Sequence, residues 1–121
     1  MTHFFHPEIF LDIARKIKNY GDLDEEGKHR ASIGRAYYAA FLTAREYLKR
    51  FGRFIIEEKG QHKKVLDALD TLNQEFLKNQ LDTLAKNRVN ADYYLNVPID
   101  KELCENSIII SNEIINSIEG I

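Results

Sequence analysis

The amino-acid sequence predicts an all-α fold, an up-and-down antiparallel bundle of about five helices. Apolar side chains recur at three- and four-residue steps along most of the chain, no pair of strand-like runs is available to build a sheet, and only Pro7 and Pro98 interrupt the pattern. Both prolines stand where a helix can begin.

The first helix is expected over His6 to Tyr20, with Ile9, Phe10, Ile13, Ile17 and Tyr20 on one face and Gly21 as its end. A long second helix follows from about Asp24 to Phe51, its stripe formed by Ile33, Tyr37, Ala40, Ala44, Leu48 and Phe51 and its end marked by Gly52. Ala31, Ser32, Gly34, Ala36, Ala39 and Ala40 crowd small side chains into it. Small side chains let neighbouring backbones approach, so this should be the central helix. Residues 52–60 read as a connecting loop, because Phe54, Ile55 and Ile56 have no second strand to pair with. A third helix is expected over Gln61 to Lys78, burying Val65, Leu69, Leu72 and Phe76, with a break at Asn79 and Gln80. A fourth runs from Leu81 to about Leu95. A fifth runs from Asp100 to about Glu119, with Leu103, Ile110, Ile114 and Ile118 buried.

A chain of 121 residues, 44% of them hydrophobic, suits one domain over 1–121 with its own core. The net charge of -2 provides no global field for a polyanion, so any nucleic-acid contact must be local. Cys104 is the single cysteine; it excludes an internal disulfide, and inert packing on the last helix is its simplest role. No uncharged run approaches the ~18 residues that span a bilayer, and the first ten residues lack the layout of a signal peptide. Cytoplasmic residence is the expectation. His3, His6, His29 and His62 show no metal-ligand spacing, and no phosphate loop or nucleophile elbow occurs, so no metal or cofactor is expected.

One conflict stands out on the fourth helix: Leu81, Leu84, Arg88, Ala91 and Leu95 share a stripe, placing a guanidinium on a core face. Burying it costs several kcal/mol unless its donors are paired, and its planar fork suits carboxylate or phosphate. Asp92, four residues on, can pair with it along the helix. Alternatively, Arg88, with Asn87, Asn90 and Tyr93, lines a cleft for a phosphate or a partner's acidic group. Tyr37, Tyr38, Tyr93 and Tyr94 are either core or stacking platforms for bases. Arg35, Arg45, Lys49, Arg50 and Arg53 are either a basic patch or a solvated face partly opposing the helix dipole.

The run Arg30-Ala-Ser-Ile-Gly-Arg-Ala-Tyr-Tyr-Ala-Ala-Phe-Leu-Thr-Ala-Arg-Glu-Tyr-Leu48 resembles the long helix of small prokaryotic HEPN proteins, and Arg88-Val-Asn-Ala-Asp-Tyr93 resembles their second motif. The resemblance implies a homodimeric bundle with a shared cleft, often a metal-independent ribonuclease or toxin beside a nucleotidyltransferase antitoxin. The nuclease motif places a histidine four to six residues after the arginine; here Val89 to Leu95 contain none. The chain is instead similar to a branch with an Arg-x-x-Ala-Asp-Tyr motif.

Three readings follow. The first is a binding module for a nucleotide, RNA or a cognate nucleotidyltransferase, a homodimer as the resemblance implies, with Arg35, Tyr38, Asn87 and Asn90 as binding residues. The second is a ribonuclease with a variant site of Arg88, Asp92 and Tyr93, helped by His29 or His62 from elsewhere. The third is an interaction protein in which Arg88 and Asp92 pin a dimer interface.

Overall fold

The computed structural model describes residues 3–121 and contains, among them, five helices and no strand: α1 (Ile9–Asn19), α2 (Glu25–Arg50), α3 (Gln61–Thr71), α4 (Glu75–Tyr93) and α5 (Lys101–Ile118). The all-α bundle is as expected. α2 is the axis, touching each of the other four helices. It starts where the Asp24 carboxylate accepts from the Gly27 amide at 2.9 Å, with Glu25 and Glu26 in its first turn and Lys49 and Arg50 in its last. Both ends therefore oppose the helix dipole.

Its small side chains do what their size allows. Ser32, Ala36, Ala39 and Ala40 are fully buried, and two hydroxyls bridge neighbouring backbones: Ser32 Oγ donates to the Ala14 carbonyl at 2.8 Å, and Ser111 Oγ to the Ala36 carbonyl at 2.7 Å. The small-residue face is thus occupied by α1 and α5 of the same chain.

The core lies along α2 in two clusters. Tyr37, Ala40, Phe41, Ala44 and Leu48 pack with Val65 and Leu69 of α3, Leu77, Leu81 and Leu84 of α4 and Ile114 and Ile118 of α5. Ile33, Ala36 and Ala39 pack with Leu11 and Ala14 of α1, Ala91 of α4 and Cys104 and Ile108 of α5. Each fully buried leucine or isoleucine contributes about 1.5–3 kcal/mol.

Several boundaries differ from expectation. The break expected at Asn79 and Gln80 falls instead at Leu72–Gln74, so α4 begins earlier and Phe76 belongs to it, exposed rather than core. Asn73 takes a left-handed conformation (φ 58°), a geometry asparagine tolerates. The Gln74 amide then donates back to the Leu69 carbonyl at 2.8 Å and closes α3. On α1 the buried residues are Leu11 and Ala14, with Ile9 and Tyr20 exposed, because the seam with α2 admits a small side chain beside Ser32. Phe51 and Leu95 lie beyond their helices and are exposed. On α5, Cys104, Ser107 and Ser111 replace Leu103 and Ile110 on the fully buried stripe, the serine hydroxyls bonding to carbonyls.

Candidate phosphate site around Arg88

α4 turns Leu81, Leu84 and Ala91 into the core, and Arg88 sits on the same face against α2. Its side chain is one-fifth exposed. Arg88 Nη2 donates to the Tyr38 hydroxyl at 3.0 Å, and the Asp92 carboxylate lies 2.9 Å from Nε. That second contact is off the N–H axis, so it is a charge contact and leaves Nε without a hydrogen bond. The guanidinium carbon lies 5.6, 5.3 and 5.4 Å from the ring centres of Tyr37, Tyr38 and Tyr93, a three-sided aromatic enclosure. Cation–π attraction of ~0.5–2 kcal/mol at such distances offsets part of the desolvation. Burial alone would lower the Arg88 pKa, but the surrounding tyrosine oxygens and Asp92 hold it above its usual value. Asp92 is the carboxylate that contacts the guanidinium. Of the five guanidinium donors, those on Nη1 make no hydrogen bond among the described residues.

Asp92 packs beside Gly34 of α2: a methyl group at Gly34 would meet Asp92 Oδ1 at 3.6 Å. Larger side chains there would press on the carboxylate. Sequence reasoning placed Gly34 among the small residues without seeing this second neighbour.

The other expected site residues divide. Tyr38 bonds Arg88, as above, and Arg35 stacks on the rings of Phe10 and Tyr38 at 5.1 and 5.2 Å, behind the same tyrosine. Asn87 points elsewhere: its amide donates to Ser107 Oγ at 3.2 Å and holds the seam between α4 and α5. Asn90 lines a shallow groove of about 500 Å³ on the outer side of α4, with His62, Asp82, Ala85, Lys86, Val89 and Tyr94. Much of the basic run is engaged internally, Arg45 with Glu46 and Gln61, Lys49 with Glu46, and Arg50 with the Phe4 ring.

Two contributors carried no assigned contact at the level of sequence. Tyr37 Oη lies 3.0 Å from His62 Nδ1, so the first residue pair of α3 reaches the tyrosine against which Arg88 packs. If Tyr37 donates, the ring proton is on His62 Nε2, facing Asp82 Oδ1 at 3.7 Å; Nε2 is buried and beyond hydrogen-bond length from any partner. Burial pushes the Tyr37 phenol up to about 12, against the pull of Arg88, so the hydroxyl stays protonated near neutrality. Lys86 hydrogen-bonds Asp82 and, with His62 nearby, holds that carboxyl below its ordinary value.

The second contributor is Arg30. Its Nη1 donates to the carbonyls of Asn90, Ala91 and Tyr94 at 3.3, 3.0 and 3.3 Å, and Nη2 to the Val97 carbonyl at 2.6 Å. Glu26 holds its Nε at 3.2 Å. One guanidinium therefore caps the C-terminal end of α4, where carbonyls lack helical partners and the dipole favours a cation. Because Asp92 and Tyr93 lie in that last turn, Arg30 also sets where two of Arg88's neighbours stand.

Among the described residues no helix is long and apolar enough to cross a membrane, and no group of three metal-ligating side chains converges. The HEPN domain profile matches residues 9–121. Two uncharacterized proteins of Methanocaldococcus jannaschii are similar: MJ0992 is 36% identical over 93 residues, 68% of this chain and 52% of the relative, and MJ0628 is 34% identical over 114 residues, 81% and 69% respectively. The chain thus spans about half the length of the first relative. No solved structure matches. A five-helix bundle built on a long central helix, with the profile covering nearly all of it, places the chain in the HEPN domain family.

Proposed function

We propose that this HEPN domain binds the phosphate of a nucleotide or RNA at Arg88, as a homodimer paired with a nucleotidyltransferase partner in a toxin and antitoxin or defence setting. The observation that carries the binding reading is the guanidinium itself: permanently charged, enclosed by Tyr37, Tyr38 and Tyr93, and with its Nη1 donors unengaged. A phosphate oxygen approaching Nη1 gains charge-assisted hydrogen bonds, and a base finds the exposed ring of Tyr93 beside it. Asp92 tempers the charge and orients the fork. Tyr93, Tyr94 and Leu95 are also an exposed apolar group suited to cover by a second copy, in keeping with the resemblance.

The contact between His62 and Tyr37 favours a second reading, a metal-independent ribonuclease. In it the His62 ring, released from Tyr37, accepts the 2′-hydroxyl proton at Nδ1 as that oxygen attacks phosphorus. The bond to the 5′-oxygen breaks, that oxygen leaves with a proton from water, and Arg88 stabilises the charge gathering on the phosphorane. His29, the other histidine considered, belongs to a different pocket, with Lys28 and Lys101.

Incubating RNA with the wild-type protein, Arg88→Ala and His62→Ala separates the readings. Binding without cleavage, weakened in Arg88→Ala, supports the module. Cleavage lost in both variants supports the ribonuclease, with a loss of about 10²–10³ in rate at Arg88. Equal binding by wild type and Arg88→Ala overturns the module, and cleavage that is absent in the wild type or unchanged in Arg88→Ala overturns the ribonuclease.

A further inference from the structure

At the opposite end of α2 from the loop that follows it, the N-termini of α2 and α5 and the last turn of α1 enclose a pocket of about 300 Å³ lined by Lys18, Asn19, Glu25, Lys28, His29 and Lys101. Two of these side chains are nine-tenths buried, Lys28 and His29. Lys28 Nζ contacts the Glu25 carboxylate at 2.8 Å and donates to the Tyr20 carbonyl at 3.3 Å. The His29 ring makes no hydrogen bond among the described residues; Glu25 Oε2 lies 3.9 Å from Nε2, too far for one. Neither ring nitrogen is sealed from solvent, so a ligand entering the pocket can reach the imidazole.

Among the side chains that line it, three ammonium groups, Lys18, Lys28 and Lys101, stand against one carboxylate, Glu25. Glu105 bridges Lys18 at 3.6 Å and Lys101 at 3.7 Å, and the Asp24 and Asp100 carboxylates cap the first turns of α2 and α5. Glu25 already shows what the pocket prefers: its carboxylate rests on Lys28, which holds the carboxyl below its ordinary value, while three-quarters of its side chain stays in solvent. Nothing fastens Glu25 there except the cation. An anion with more acceptor oxygens can displace it and satisfy His29 as well.

We infer that the pocket of Lys18, Lys28, His29 and Lys101 is an anion site for a phosphate monoester dianion, separate from the Arg88 site. Three oxygens of a tetrahedral monoester can serve Lys28, His29 and Lys101 together, where a carboxylate has two. The space is at the small end of ligand pockets, which suits a phosphate with a compact substituent. His29 lies eight residues before Tyr37 on α2, about 12 Å along the helix, so the two sites are distinct in place. This inference does not depend on what Arg88 binds.

Amide and imidazole NMR shifts of the full chain are followed while inorganic phosphate, phenyl phosphate and dimethyl phosphate are added in turn at constant ionic strength. Saturable shifts at Lys28, His29 and Lys101 are expected with the first two, weaker with the monoanionic diester. Phenyl phosphate exceeding inorganic phosphate identifies an organic monoester as the source; the reverse identifies the free ion. Lys28→Met and the exposed Lys101→Met each weaken binding, the former by at least about tenfold. Glu25→Gln removes the competing carboxylate and tightens binding several-fold. No saturable shift, or Glu25→Gln leaving binding unchanged or weaker, overturns the inference. Should Lys28→Met fail to fold, Lys101→Met and Glu25→Gln decide it.

Discussion

Replacing Arg30 with methionine keeps the apolar stem and removes the side-chain hydrogen bonds that cap α4. The Ala91 and Val97 carbonyls, bonded at 3.0 and 2.6 Å, lose the Arg30 donor, while those of Asn90 and Tyr94, both at 3.3 Å from it, keep the amides of Tyr94 and Val97 at 3.2 Å. Counting the two short bonds at about 1.5 kcal/mol each and nothing for the two long ones gives about 3 kcal/mol. The half-exposed pair with Glu26 adds at most about 0.5 kcal/mol. Unfolding entropy of about 2.1 cal/mol/K per residue over 121 residues makes each kcal/mol worth about 4 °C in Tm. Arg30→Met should therefore melt about 12 °C below wild type by circular dichroism at 222 nm, with an unchanged urea m-value. Arg30→Lys should recover little, since a point ammonium cannot span carbonyls that a fork bridges. A fall under about 4 °C would refute the reasoning, showing that solvent serves those carbonyls as well as Arg30 does.

Gly34→Ala should stabilise the protein by about 0.5–1 kcal/mol in urea unfolding, because the new methyl meets Asp92 Oδ1 at an ordinary 3.6 Å and glycine is the poorer helix former. Gly34→Leu should instead displace Asp92 and weaken whatever Arg88 binds. In an absorbance titration at 295 nm, Tyr37 should ionise late, near pH 12. Its raised folded value means that its contribution to stability is complete below about pH 10, the phenol's ordinary value, and is lost as pH climbs to about 12. Tyr37→Phe should abolish that late step.

Most of the fold was legible because it rests on periodicity. The stripe Ile33, Tyr37, Ala40, Ala44 and Leu48 is buried as its spacing requires, and Asp24 and Gly52 bracket α2. What misled was local chemistry that competes with periodicity. Leu72 and Phe76 continue the apolar spacing of α3, yet Asn73 in a left-handed turn ends the helix between them. A turn residue outweighed two hydrophobic ones because the Leu69 carbonyl gains the Gln74 amide as a partner. Buried serines on α5 were invisible for a related reason. Their acceptors, such as the Ala36 carbonyl, lie on another helix and carry no sequence signal.

The site divides the same way. Arg88 was legible as a charge on an apolar stripe, and Asp92 as its neighbour one turn on. Tyr38 and Tyr93 could be named but not aimed; their packing on the guanidinium depends on how α2 and α4 cross. Asn87, close in sequence, faces α5 because one residue along a helix turns the side chain by about 100°. Arg30 stood at the head of the motif-bearing helix with no assigned task. Its partners are backbone oxygens some sixty positions away, a contact set by the tertiary fold.

Binding of a fluorescently labelled short RNA and of a mononucleotide, measured side by side for wild type and Arg88→Met, tests the central proposal most directly. Methionine preserves the side-chain length while removing the charge and its donors, and circular dichroism verifies the fold of each sample. The proposal predicts saturable binding by the wild type to at least one of the two ligands and a loss of about tenfold or more in Arg88→Met. Equal affinity of the two proteins, with both folded, would contradict it and leave Arg88 as a structural member of the tyrosine enclosure.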